Sequence, residues 1–136
     1  MSLKEVNHMK SNEEIELTKE NSYKAIIAIR TSTGGPKALY ELLLALPKDL
    51  PATYIIVQHM PAGFTKSLAE RINSNAEIAV KEAEDGEVLK QGTAYIAPGG
   101  FHMLIENGKK PRIKLSTLPP VRGHRPSVNI MMESLV

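Results

Sequence analysis

From Lys24 onward, short apolar runs alternate with helical stretches, and glycine or proline marks most of the boundaries. Ala25-Ile26-Ile27-Ala28-Ile29 is an unbroken apolar run, the pattern of a strand buried on both faces of a parallel sheet. The chain then passes through Arg30-Thr31-Ser32-Thr33-Gly34-Gly35-Pro36, after which Leu39, Leu42, Leu43 and Leu46 recur at helical spacing until Pro47. The unit repeats, with Tyr54-Ile55-Ile56-Val57 as a strand, Gln58 to Gly63 as a turn, and Phe64, Leu68 and Ile72 as the apolar stripe of a second helix. Strands alternating with helices predict a doubly wound, Rossmann-like α/β parallel sheet.

Beyond Asn75 the texture changes. Ile78-Ala79-Val80, Thr93 to Ala97, Met103-Leu104-Ile105 and Ile113-Lys114-Leu115 are short strand-like runs, punctuated by Asp85-Gly86, Gly99-Gly100 and Asn107-Gly108. An antiparallel hairpin region is predicted here, with Asn-Gly as its turn signal. The stretch from Pro126 to Val136 predicts a helix with proline near its first turn, and it ends without a cap or breaker. That ending predicts a sheet incomplete at its C-terminal side. By contrast, Met1 to Tyr23 carries three lysines, five glutamates and scattered apolar residues, with no glycine or proline. It is expected to be a linker or disordered tail (1–23), with a docking helix as the lesser alternative, and 24–136 is expected to be the folded domain.

The 136 residues fit one domain, and no apolar run approaches the ~20 residues that a membrane span needs. Membrane insertion is not expected. The first ten residues lack the apolar centre of a secretory signal, so a cytoplasmic location is expected. The absence of cysteine excludes disulfides, thiolate metal sites and a cysteine nucleophile. No His, Asp and Glu spacing suggests a metal site. The tail's net charge of −2 against +2 for the whole leaves a mildly basic domain. Lys109, Lys110, Arg112, Lys114, Arg122 and Arg125 fall in one stretch with almost no aromatic residues, so a nucleic-acid partner is not expected.

Ser32 follows a buried strand and precedes a Gly-Gly turn and a helix, the place where α/β folds hold nucleophiles and ligands. Helix-start N–H groups stabilise developing negative charge, and glycines let the backbone approach it closely. Two other readings stay open: Ser32 or Thr33 as a helix cap, and the Gly34-Gly35 turn as a phosphate cradle. No full nucleotide-binding fingerprint supports the cradle. His59 ends the neighbouring strand at the same level, where an imidazole can activate a serine or bond a loop carbonyl structurally. His8, His102 and His124 carry no such placement.

Ser32-Thr33-Gly34-Gly35-Pro36, Val57 to Thr65, Gly92 to Gly100 and His124-Arg125-Pro126-Ser127-Val128 occur in order with compatible gaps. Together they resemble the catalytic domain of chemotaxis protein-glutamate methylesterases, the CheB family. The resemblance implies hydrolysis of glutamate γ-methyl esters, and often deamidation of glutamines, on the cytoplasmic helices of chemoreceptors. It implies Ser32 as nucleophile, His59 as general base and acid, Thr33, Gly34 and Gly35 as the active-site loop, and no cofactor. Met60 and Arg125, in the same motifs, are candidates for contacting substrate or partner. A receiver domain of two-component signalling usually precedes the linker in this family. The chain departs from the pattern at Arg30-Thr31, where glycine and a small residue are usual, and at Asn129, where aspartate is usual. The Gly-Met-Gly-x-Asp-Gly segment carrying the family's triad aspartate is not among these residues, so a C-terminally truncated copy with weak activity is expected. The alternative is a non-catalytic receptor-binding module of a chemotaxis system. A homo-oligomer covering the open sheet edge is a further expectation.

Overall fold

The computed structural model describes the backbone of residues 4–10 and 13–20, and residues 25–31 and 34–135 in full. In chain order the elements are β1 (Lys4–Lys10), β2 (Glu13–Glu20), β3 (Ala25–Thr31), α1 (Gly35–Leu44), β4 (Ala52–Gln58), α2 (Phe64–Asn73), β5 (Ala79–Glu82), β6 (Thr93–Ile96), β7 (His102–Glu106), β8 (Arg112–Ser116) and α3 (Val128–Ser134). One sheet runs β1-β2-β3-β4-β6-β5, and β7-β8 forms a separate pair. The β3, β4, β6 and β5 strands are mutually parallel, as the unbroken apolar runs require.

All seven residues of β4 are buried, because both faces of the sheet are covered. Tyr54 and Ile56 face α1 and α2, packing with Leu39, Leu43, Leu68 and Ile72. The alternate residues Ile55 and Val57 face the β7-β8 hairpin and α3, packing with Met103, Ile105, Ile113 and Met131. This mixed α/β arrangement, with a parallel sheet and an antiparallel hairpin, is the fold class expected. Asn107-Gly108 lies in the β7-β8 connection, as its turn signal predicted. Among the described residues, no helix is long and apolar enough to cross a membrane.

Three local expectations change. The segment expected as a linker contains β1 and β2, and β2 pairs antiparallel with β3 from Glu13↔Thr31 to Glu20↔Ala25. Backbone pairing to an open sheet edge needs no apolar helix face, and Ile15 and Leu17 alternate with glutamates at strand period. Phe64 is 58% exposed, so the buried stripe of α2 is instead Thr65, Leu68, Ala69 and Ile72. Thr65 takes the inward position because its hydroxyl donates to Glu82 Oε2 and accepts from the Gly99 N–H. Finally, Pro126 lies before the first turn of α3. Ser127 is the N-cap, its side chain accepting from the Ile130 N–H.

Candidate active site

Parallel register sets the level of the site. Thr31 and Gln58, the last residues of β3 and β4, are partners, and the Thr31 hydroxyl donates to Gln58 Oε1. Ser32 follows Thr31 in the chain, and His59 follows Gln58. Ser32 and Thr33 themselves lie outside the described residues. Beyond them, Gly34 is the N-cap of α1 at φ +77, a conformation open to glycine, and it has no side chain with which to cap the helix. The N-cap position is Gly34, and the first N–H groups of a helix are donors suited to negative charge. Gly35 is buried where a Cβ would run into Gln58 Oε1 and would lie 2.9 Å from Thr31 Cβ. Glycine at this position lets α1 start directly against the paired strand ends.

His59 is half-buried, with Nε2 3.2 Å from the Pro126 carbonyl. A carbonyl only accepts, so Nε2 carries the proton and Nδ1 is the bare nitrogen. The ring stacks on His124, centroids 4.3 Å apart and planes 20° apart. Burial holds the His59 pKa below the usual histidine value, and the neighbouring His124 and Arg30 push it the same way against the opposing Pro126 hydrogen bond. At neutral pH the imidazole is therefore uncharged and able to take a proton.

His102 secures the loop that presents Pro126. It is fully buried; its Nδ1 accepts from the Ser127 N–H at 3.1 Å, and its Nε2 donates to the Pro119 carbonyl at 3.0 Å. The Gly100 N–H donates to the Arg125 carbonyl at 3.1 Å, a second tie between the same segments. Replacing His102 with leucine keeps bulk but strands the buried Ser127 N–H, whereas asparagine offers an oxygen near the Nδ1 position. His102→Leu is expected to be less stable than His102→Asn by about 1–3 kcal/mol in urea unfolding. Equal midpoints and slopes for the two variants would remove His102 from this role.

Of the remaining candidates, Met60 is partly buried against the α1 and α2 core and lines an apolar groove with Pro36, Phe64 and Leu68. That groove is separate from the cleft at His59. Arg125 turns its guanidinium back onto the chain, with Nη1 donating to the Thr117 carbonyl at 3.2 Å and the Leu118 carbonyl at 3.4 Å. The cleft itself, about 320 Å³, is lined by Arg30, His59, Val121, Arg122, His124, Ser127, Val128 and Asn129. His124, Arg122 and His102 were not singled out by sequence reasoning. Their signals were weak, Arg122 and His124 falling beside or in the Gly-His-Arg-Pro motif and His102 after the Gly99-Gly100 turn, and neither says which strand end they meet.

The model of the CheB methylesterase family matches residues 27–136. A protein-glutamate methylesterase/protein-glutamine glutaminase of Oceanobacillus iheyensis is 59% identical over 121 residues, 88% of this chain and 34% of that protein. Its namesake in Archaeoglobus fulgidus is 49% identical over 111 residues, covering 81% of this chain and 32% of that protein. The chain thus spans about a third of the length of these curated relatives. The crystal structure of the Thermotoga maritima CheB methylesterase catalytic domain superposes with a TM-score of 0.79 at 42% identity, covering 85% of this chain and 61% of that one. Ordered motifs, overall fold and similarity over most of its length agree: the chain belongs to the CheB methylesterase family.

Proposed function

We propose that this chain carries the nucleophile and base of a cytoplasmic protein-glutamate methylesterase, with glutamine deamidase activity through the same serine, acting on methylated chemoreceptor helices. The observation that carries the reading is the neutral His59, oriented by the Pro126 carbonyl at the end of the strand paired with the one that leads to Ser32. The 59% identity to a protein named for both activities supports it.

In this reading His59 Nδ1 takes the proton from the Ser32 hydroxyl as its oxygen attacks the γ-ester carbonyl. Donors at the start of α1 stabilise the oxyanion. Collapse breaks the C–O bond to the methoxy group, which leaves as methanol with the proton from His59. Water then attacks the glutamyl-serine ester, His59 again taking and returning the proton, and the products are a glutamate carboxylate and free Ser32. Glutamine follows the same course with ammonia as leaving group. In a serine triad the third group holds the histidine tautomer and stabilises its cation. Among the described residues the Pro126 carbonyl serves the first, and as a neutral dipole it contributes less to the second than a carboxylate would.

The test is methanol release from methylated receptor beside Ser32→Ala. Loss of release in the variant supports the reading. Release undiminished by Ser32→Ala, or none from the folded wild type, overturns it; receptor binding without release would favour the non-catalytic module.

His124 sets the pH range. Replacing it with alanine removes the interaction with His124 that lowers the His59 pKa and opens the His59 ring to water, and both changes raise that pKa. The base is active when deprotonated, so the acidic limb of kcat/KM is expected to move to higher pH in His124→Ala. A limb that stays in place or moves lower contradicts this.

A further inference from the structure

Arg122 is, among the described residues, the sole non-glycine with positive φ, at +51, and Gly123 follows at +79. The two form the centre of a tight turn closed by Val121 N–H to the His124 carbonyl and His124 N–H to the Val121 carbonyl, each 2.9 Å. Both central residues of such a turn need left-handed backbone, which suits asparagine, aspartate or glycine and strains arginine. A strained residue in a cleft wall is a pointer to function rather than folding. The cleft beside it points the same way: two arginines and two histidines line it, and no carboxylate does among the described residues. Arg30 sits opposite Glu14 in the register of β3 with β2, whereas Arg122 lies on the turn at the cleft wall.

We propose that Arg122 is a specificity-determining residue that binds an acidic side chain of the substrate next to the scissile glutamyl ester. The inference rests on the esterase reading for the meaning of "substrate", and it narrows that substrate to esters embedded in acidic peptide. A guanidinium offers a carboxylate paired donors, and the surrounding positive charge attracts it at a distance. The backbone strain is then the cost of placing Arg122 on the wall of the cleft that also holds His59.

The test uses two synthetic peptides with one glutamate γ-methyl ester each, flanked by glutamates in one and glutamines in the other. Wild-type kcat/KM is expected to favour the acidic peptide by about tenfold, carried by KM and shrinking with added salt. Arg122→Asn should erase most of this preference, while Lys48→Gln, which removes the same charge at the opposite end of the strands, should keep it. Arg122→Asn should also raise the melting temperature, because asparagine tolerates the turn; a fall would overturn the strain argument. A preference intact in Arg122→Asn, or absent in wild type, overturns the proposal.

Binding separates this from failure of the esterase reading. If neither ester is hydrolysed, titration of the unmethylated acidic peptide, followed by the imidazole proton signals of His59 and His124, decides. Arg122-dependent binding supports the subsite, and its absence overturns it. Inorganic phosphate serves as the free-anion probe: binding as tight as the peptide's means that the cleft takes any small anion, which also overturns an acidic-peptide subsite.

Discussion

Replacing His59 with glutamine is expected to lower methanol release from a methylated substrate by about 10⁴-fold or more, measured as kcat at the pH optimum. Glutamine can keep an N–H donor toward the Pro126 carbonyl, so the loop that meets His59 at 3.2 Å need not collapse. What disappears is the basic nitrogen, and no other group in the proposed mechanism takes its place. Combining the change with Ser32→Ala is expected to cost little more than either alone, since the two residues act as one unit. A loss smaller than tenfold in a folded His59→Gln protein would remove His59 from the chemistry. Additive losses in the double variant would separate the two residues into independent roles.

The largest effect on stability is expected at Gly99. A Cβ there would lie 2.7 Å from the Met60 carbonyl oxygen, 2.8 Å from Ala62 N and 2.9 Å from Ala62 Cα. All three are backbone atoms, so no side-chain rotation relieves the clash and the loop from His59 to Gly63 has to move. The Gly99 N–H also donates to Thr65 Oγ1 at 3.2 Å, tying the loop after β6 to the first turn of α2. Gly99→Ala is expected to cost about 3 kcal/mol, a fall of roughly 10 °C in Tm for a domain of this size. Thermal unfolding followed by circular dichroism checks it, and a Tm within about 2 °C of wild type would show that the loops can part without penalty. Because the displaced loop begins at His59, activity should fall further than stability explains when assayed well below the melting range.

These effects trace to different kinds of information. The strands β3 and β4 were legible as Ala25 to Ile29 and Tyr54 to Val57 because a strand covered on both faces has to be apolar at every position. Ser32 and His59 stood out because each comes within three residues of the end of such a run. The hairpin was legible from Asn107-Gly108 between two apolar runs, and the helix starts from the glycines at 34 and 63. Local steric and burial rules act over a few residues, so a few residues are enough to reveal them.

Other features depend on partners distant in the chain. The place of β6 between β4 and β5 is a pairing choice that no single strand announces. Phe64 has the right spacing for a buried helix face, yet Thr65 is buried instead, because Gly99 and Glu82 supply its hydrogen-bond partners from other elements. His102 looks like any histidine after a turn until the fold brings Ser127 and Pro119 to its two nitrogens. Sequence alone was enough for the family, the parallel core and the two residues proposed for the chemistry. Tertiary structure decided that a backbone carbonyl 67 positions away orients His59, and that His124 stacks on it. A tautomer and a pKa depend on what lies within a few ångströms, and only the closed chain determines that.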